Sequence, residues 1–146
     1  MKEESQRQDR QQDNAIVIVD PATADYMPLV IAGRSRLWSF YFFTAGSDAM
    51  RWHHARHTRL WMINIRLPDM TGMELCEAMR PRLERIPVVL ISDEYDPAEE
   101  LAVFSAGTLH YMCKPLDLSL VSALWPVFDP RDGKNFTHSL NERPPF

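Results

Sequence analysis

Five short apolar runs recur along this sequence, and segments with helical signals lie between them. Residues 15–19 are apolar at every position, which is typical of a central parallel strand that is covered on both faces. The other predicted strands are the aromatic run at residues 39–43 and the runs at 60–63, 88–91 and 109–113. Strands that alternate with helices predict a parallel sheet with helices on both faces, so we predict a three-layer α/β/α fold.

Two of the segments between the strands carry clear helix-start signals. Thr71 and Glu74 form a capping box, and Asp96 followed by Pro97 places an N-cap before a proline at the first helical position. Gly107 is suited to end the second of these helices. Three further helices are predicted at residues 22–32, 47–57 and 118–125.

Length and composition predict one folded domain. The chain has 146 residues and ordinary globular usage, with 45% hydrophobic and 25% charged residues. We predict a disordered tail at residues 1–14, a folded domain at 15–126 and a C-terminal tail at 127–146. A net charge of −4 gives no general attraction to nucleic acid or anionic membrane. No apolar run is long enough to cross a bilayer, and two cysteines fit a reducing cytoplasm, where we expect the protein.

Polar side chains follow the predicted strands at the point where each strand ends. Asp20 follows the first, Asn64 the third, Ser92 and Asp93 the fourth, and Lys114 the fifth. Ligands of open parallel sheets bind beyond the carboxyl ends of the strands. We therefore expect these residues to meet at one edge of the sheet. His53 and His57 lie four residues apart, but two histidines do not make a zinc site, and no metal site is predicted there.

Asn64 lies in an apolar run, Trp61 to Ile65, that is followed by Leu67-Pro68 and then Gly72. Together with Ala106-Gly107, Tyr111 and Lys114-Pro115, this segment resembles the receiver domains of two-component response regulators. The resemblance covers about residues 15–115. It implies a flavodoxin-like sheet of strand order 2-1-3-4-5 and a role in phosphorelay signal transduction rather than in enzymatic turnover.

The resemblance also assigns roles to the polar residues. In receiver domains the position of Asn64 is an Asp that accepts a phosphoryl group, and Asp20 is the first residue of an acidic pair. Ser92 and Tyr111 match the switch hydroxyl and the switch aromatic. Lys114 precedes a proline to which the peptide bond is typically cis.

Three positions depart from the pattern of the family. Asn64 replaces the phosphoacceptor, Pro21 replaces the second acid, and Asp93 stands where a small residue is usual. A neutral amide oxygen is a poor nucleophile, and the loss of two carboxylates weakens a magnesium site. We therefore expect no cofactor and weak or absent Mg²⁺ binding. Lys114 should pair instead with Asp20, Asp93 or the amide oxygen of Asn64.

Three functional hypotheses follow, in descending order. The first is a pseudo-receiver that acts by contact with a histidine kinase, a phosphotransfer protein or an output protein, or as a homodimer. Its expected surface is formed by the fourth helix, the fifth strand and the fifth helix. The second is a phosphorylatable receiver, with Asn64 engineered or with Asp93 or Ser92 as an unusual acceptor. The third is a flavodoxin-like cofactor binder, which is disfavoured because residues 20–24 contain no glycine to cradle a phosphate.

Overall fold

The computed structural model describes residues 14–107 and 110–116. Five strands and four α-helices alternate along this part of the chain: β1 (Ala15–Val19), α1 (Met27–Gly33), β2 (Ser39–Phe43), α2 (Gly46–Met50), β3 (Leu60–Asn64), α3 (Gly72–Met79), β4 (Val88–Ser92), α4 (Pro97–Ser105) and β5 (His110–Cys113). Short 3-10 segments lie at Thr23–Tyr26, Arg34–Arg36 and Ala55–His57. Within these residues no helix is long and apolar enough to span a bilayer. Both predicted tails and the predicted helix at 118–125 lie outside the described residues.

All five strands are parallel and pair in the order β2-β1-β3-β4-β5, so the predicted fold class and strand order are confirmed. β1 and β2 have the predicted bounds. β3 and β4 each extend one residue further, to Asn64 and Ser92, and thus include the first polar residue after the apolar run. Asn64 and Ser92 therefore lie at the carboxyl edge of the sheet, as the last residues of their strands.

The three central strands β1, β3 and β4 are buried on both faces, whereas the edge strands β2 and β5 are mostly half-buried. Ile16 and Ile18 of β1 pack with Tyr26 and Leu29 on one face. Val17 and its neighbours pack with α3 and α4 on the other. Burial of each large side chain stabilises the fold by about 1.5–3 kcal/mol, which fixes the strand ends relative to one another.

Two predicted helices differ from the observed ones. The helix predicted at 22–32 starts as a 3-10 turn, and α1 begins only at Met27, with Pro28 in the first turn, where its missing N–H has no intrahelical role. The helix predicted at 47–57 ends at Met50. The chain turns there because the Trp52 ring packs against Trp61, and the Arg82 guanidinium donates to the carbonyl oxygens of Met50 and Trp52 at 2.8 and 3.5 Å.

The predicted helix-start signals are confirmed by hydrogen bonds. The Glu74 N–H donates to Thr71 Oγ1 at 3.1 Å at the start of α3. The Ala98 N–H donates to Asp96 Oδ1 at 2.9 Å at the start of α4. Gly107, just beyond the end of α4, has a φ of +110°, which a residue without a Cβ adopts without strain.

Candidate functional site

The structure brings Asp20, Asn64, Asp93 and Lys114 together beyond the carboxyl ends of the strands. Asn64 Nδ2 donates to Asp20 Oδ2 at 2.9 Å and to Asp93 Oδ1 at 3.1 Å. Its other amide atom, Oδ1, accepts from the Arg66 N–H at 2.8 Å. The buried Asn64 side chain is thus held at both ends, with its nitrogen between two carboxylates.

Asp20 is the most enclosed group of the site, with 1% of its surface exposed. Its Oδ1 accepts from the Ala22 N–H at 2.8 Å. Its Oδ2 faces three donors: Tyr26 Oη at 2.7 Å, Asn64 Nδ2, and Lys114 Nζ at 2.8 Å. Burial raises the pKa of the Asp20 carboxyl, but these hydrogen bonds outweigh burial and leave its pKa below the usual value. Asp20 is therefore a carboxylate at neutral pH.

Lys114 is the cation of the site. Its Nζ lies 2.8 Å from Asp20 Oδ2, 2.8 Å from Asp25 Oδ2 and 2.9 Å from Asp93 Oδ1. Burial lowers the pKa of the Lys114 ammonium, but hydrogen bonds to the three carboxylates outweigh it and raise that pKa. The pairs with Asp20 and Asp93 were expected, whereas the Asn64 amide oxygen accepts from the Arg66 N–H and does not pair with Lys114. The peptide bond from Lys114 to Pro115 is cis.

Two residues of the site were not predicted, Asp25 and Tyr26. Both lie in the 3-10 segment that replaces the first turn of the predicted helix at 22–32, and that tighter turn brings them to Asp20 and Lys114. The Tyr26 side chain is fully buried, and its ring centroid is 5.4 Å from Lys114 Nζ. Burial and the Asp20 carboxylate raise the pKa of the Tyr26 phenol, so it remains protonated and donates to Asp20. In the sequence, the only indication of Asp25 and Tyr26 as site residues was an acidic residue next to an aromatic one shortly after Asp20.

Both Asp20 oxygens and the Asn64 amide oxygen accept hydrogen bonds within the protein. A magnesium ion is held by oxygen lone pairs in a near-octahedral arrangement. Both Asp20 oxygens accept hydrogen bonds, and Asn64 turns its nitrogen, not its oxygen, toward the carboxylates. In the part of the chain that the structure describes, no group of three or more His, Cys, Asp or Glu side chains is placed to hold a metal ion. The Lys114 ammonium supplies the positive charge between the carboxylates of this site.

The predicted switch residues bond away from Asn64. Ser92 Oγ donates to the Glu94 carbonyl oxygen at 2.5 Å, and Tyr111 Oη accepts from the Asp96 N–H at 3.2 Å. The Tyr111 ring also contacts Tyr95, with ring centroids 6.2 Å apart. Pro21 is exposed and brings no polar side chain to the site.

Gly72, the first residue of α3, lies directly against the peptide of Asn64. A Cβ atom at this position would stand 2.4 Å from the Asn64 carbonyl oxygen, so only glycine fits without a backbone shift. The Gly72 N–H donates to the Ile65 carbonyl oxygen at 2.7 Å. The loop after β3 therefore closes tightly over the strand end.

Beside this site, a surface groove runs along β5. It has a volume of about 250 Å³ and is lined by residues that include Tyr95, Tyr111 and Leu116. The α4 side chains Leu101 and Phe104 are exposed nearby, at 68% and 46%. We call this set (Tyr95, Leu101, Phe104, Tyr111 and Leu116) the α4–β5 face.

A family model described as the response regulator receiver domain matches residues 16–124. The chain belongs to this family. Solved receiver structures show the same fold: a two-component response regulator from Clostridium difficile covers 83% of this chain and 99% of its own, with a TM-score of 0.72 and 21% identity. The receiver domain of a LuxO repressor protein from Vibrio parahaemolyticus covers 90% of this chain and 98% of its own, with a TM-score of 0.70 and 14% identity.

Curated relatives include larger proteins. The cyclic di-GMP phosphodiesterase response regulator RpfG of Xanthomonas campestris is 31% identical over 78 residues, which are 52% of this chain and 21% of RpfG. Protein RcaC of Microchaete diplosiphon is 33% identical over 57 residues, 38% of this chain and 9% of RcaC. Chemotaxis protein CheY1 of Helicobacter pylori is 30% identical over 60 residues, 40% of this chain and 48% of CheY1. This chain therefore spans only a minor part of these relatives, and it shares with them the receiver domain of two-component signalling.

Proposed function

We propose that this protein is an atypical receiver that signals by protein–protein contact, without phosphoryl transfer to residue 64. The observation that carries the proposal is the orientation of Asn64, whose Nδ2 donates to both Asp20 and Asp93. Attack on phosphorus requires an oxygen with a negative charge or an activated lone pair. Asn64 presents N–H groups to the pocket, and its neutral oxygen is occupied by a backbone donor.

The charges around Asn64 support the same proposal. A phosphoryl group carries a negative charge, which the Asp93 carboxylate would repel at the pocket entrance. Lys114 is the counter-charge for three carboxylates at once and stays engaged with them. We infer weak or absent Mg²⁺ binding, since a divalent ion would have to displace an ammonium group that is covalently tethered within 3 Å of the same oxygens.

The α4–β5 face is the surface that we propose for the partner. Tyr95, Leu101 and Phe104 are large, exposed side chains, and clustered apolar side chains on a surface mark interaction sites. The partner is a histidine kinase, a phosphotransfer protein or an output protein, or a second copy of this chain. Two free cysteines support a reducing, cytoplasmic location.

The chemical half of the proposal is tested with acetyl phosphate and Mg²⁺, followed by intact mass. We expect no phosphoryl-sized mass gain for the wild-type protein or for Asn64→Gln. A gain in the wild-type protein would overturn the proposal, and Asp93→Asn and Ser92→Ala would then locate the acceptor. The cofactor-binding alternative is tested on the same sample, because bound flavin would absorb visible light.

The partner half is tested with charge insertions. Leu101→Asp should abolish dimerisation measured by light scattering, or capture of a purified cognate kinase, because it places a charge in an apolar contact. Met27→Asp, which adds the same charge at an exposed apolar position of α1, is the control and should leave association unchanged. Equal effects of the two variants would contradict the assignment of this face.

A further inference from the structure

The opposite end of the sheet carries a concentration of arginine. Three loops precede strands there, at residues 34–38 before β2, 51–59 before β3 and 80–87 before β4. They contain eight of the ten Lys and Arg residues that the structure describes and one of its twelve Asp and Glu residues, Glu84. The eight arginines are Arg34, Arg36, Arg51, Arg56, Arg59, Arg80, Arg82 and Arg85. We call these three loops the basic edge.

Hydrogen bonds join these loops into one surface. Arg82 of the third loop donates to the Met50 and Trp52 carbonyl oxygens next to the second. The Arg59 N–H donates to the Ala15 carbonyl oxygen at 2.8 Å, which ties the second loop to the start of β1. The Ser39 N–H donates to the Asn14 carbonyl oxygen at 3.1 Å and ties the first loop to the same place. The strands β2, β1, β3 and β4 then span about 14 Å at their usual spacing.

Each loop presents an exposed arginine that makes no ion pair among the described residues. These are Arg34, Arg56 and Arg85. By contrast, Arg51 and Arg80, which directly follow α2 and α3, each pair with an acid three residues earlier in the chain, Asp48 and Glu77. The basic edge therefore keeps a net positive charge after its local pairs are counted, even though the whole chain has a net charge of −4.

Leu37 gives the same surface an exposed apolar residue. Its side chain is 79% exposed, and its backbone has a φ of +58°, in the left-handed region that disfavours a residue with a branched side chain. The preceding residue, Arg36, places its guanidinium over the Trp38 ring, 5.3 Å from the ring centroid. A second exposed apolar residue, Ile31, lies on the preceding helix. The left-handed backbone ends the 3-10 segment Arg34–Arg36, where the Leu37 N–H donates to the Arg34 carbonyl oxygen at 3.4 Å. The Leu37 side chain lies outside the core and is available for an external contact.

We propose that the basic edge binds an acidic, amphipathic segment of a partner protein. Arginine presents a planar fork that matches carboxylate groups, and Leu37 and Ile31 offer apolar contacts between the charges. A helix of about ten residues is about 15 Å long, which matches the width of the edge. A single-stranded nucleic acid would need free aromatic faces, but Trp38 is covered by Arg36, and Trp52 is packed against Tyr41, Phe43 and Trp61.

This inference is independent of the proposed function, because the basic edge and the Asn64 site lie at opposite ends of the strands. The overall negative charge does not prevent it. At physiological ionic strength charges are screened over about 8 Å, so a partner at one end of the sheet responds mainly to the local arginines.

The test uses the full chain and a fluorescein-labelled helical peptide of about 15 residues, with Glu on one face and Leu on the other. Anisotropy should show binding at about 50 mM NaCl that weakens at about 300 mM, as expected for screened charge pairs. The triple variant Arg34→Glu, Arg56→Glu and Arg85→Glu should bind at least about tenfold more weakly. A Gln-for-Glu version of the peptide should lose binding to the wild-type protein.

Single variants give the matched control. Arg56→Glu on the basic edge and Arg66→Glu at the opposite end change the net charge equally, and only the first should weaken binding. Binding that is indifferent to the triple variant would overturn the proposal. So would tighter, edge-dependent binding of a single-stranded oligonucleotide or of phosphatidylserine vesicles, or salt-sensitive self-association that the peptide does not displace. If the Glu variant is unfolded by circular dichroism, the same positions changed to Gln carry the test.

Discussion

The two ends of the sheet use charge in opposite ways. At the carboxyl end, three carboxylates converge on one ammonium group, and the innermost acid, Asp20, is buried with every oxygen bonded. At the amino end, eight arginines spread over three loops, and several face solvent without an ion pair among the described residues. Charges that are buried and mutually satisfied hold the molecule together, whereas exposed and unpaired charges are available to a partner. Mutations that change the net charge equally should therefore lower the free energy of unfolding much more at the carboxyl end than at the amino end.

Loss of the Lys114 charge should have the largest effect. Lys114→Met should lower the free energy of unfolding by about 3–5 kcal/mol, because it leaves the buried Asp20 carboxylate without its cation. Urea denaturation measures the change. The control is Arg51→Met, which breaks an exposed pair with Asp48 and should cost at most about 1 kcal/mol. Equal losses in the two variants would contradict the contrast between the ends.

Asn64→Asp should come next. It replaces the amide donor between Asp20 and Asp93 with a fourth carboxylate at this end of the sheet, and we expect a loss of about 2 kcal/mol in a buffer without divalent cations. Thermal melting with and without Mg²⁺ measures it. Asp69→Asn is the control, since that exposed acid caps α2 and lies outside the carboxylate cluster. A stability equal to that of the wild-type protein would show that the amide nitrogen is dispensable.

Tyr26→Phe should destabilise by about 1.5 kcal/mol, because it removes a buried hydrogen bond to a charged group. Tyr95→Phe removes a hydroxyl that is bonded to Glu100 on the surface and should change the free energy of unfolding by less than about 0.5 kcal/mol. Chemical denaturation of both variants compares them directly. Equal losses in the free energy of unfolding for the two variants would contradict a larger stabilising role for the buried Tyr26 hydroxyl.

The Asp20 carboxylate also predicts a pH dependence. Its folded-state pKa is lowered, so its contribution to stability is present above the unfolded pKa of about 3.9 and is lost as pH falls through the folded value. The stability difference between the wild-type protein and Asp20→Asn should therefore shrink as pH falls from about 7 to below 4. Urea titrations at several pH values test this; a constant difference would argue against an ionised Asp20.

The smallest effect is expected at the basic edge. The combined variant Arg34→Gln, Arg56→Gln and Arg85→Gln should shift the free energy of unfolding by less than about 1 kcal/mol, because none of these side chains has an ion pair to lose within residues 14–107 and 110–116. Differential scanning calorimetry provides the measurement. A large loss would mean that the edge arginines are structural, and it would weaken the argument for an external partner.

The strands β1, β3 and β4 could be predicted closely because each is an apolar run in which every residue is buried, and β2 because it is a run of aromatic residues. For β1 and β2 the predicted and observed bounds coincide, and the helix starts at Thr71 and Asp96 follow from capping chemistry that acts over three residues. The family resemblance then supplied the strand order, and the order places Asp20, Asn64 and Lys114 at one edge. Sequence signals that span a few residues were therefore sufficient for these strands and helix starts.

The remainder depended on contacts between distant parts of the chain. Asp25 and Tyr26 enter the site through a 3-10 turn that helical periodicity does not distinguish from an α-helix. The end of α2 at Met50 depends on Arg82, which lies in a loop that follows another helix. The basic edge was not predicted, because the net charge of −4 sums over the whole chain and hides the local excess of arginine. Only the strand order shows that the three arginine-rich segments adjoin one another.

Gly72 restricts how this domain can be redesigned. With its α-carbon pressed against the backbone of position 64, any bulkier replacement would push that peptide out of line with its strand. Gly72→Ala would place a Cβ atom 2.4 Å from the Asn64 carbonyl oxygen and should therefore displace that peptide without replacing any polar side chain of the site. Attempts to install a reactive acid at position 64 should therefore keep glycine at position 72, because the position of the residue 64 peptide depends on it.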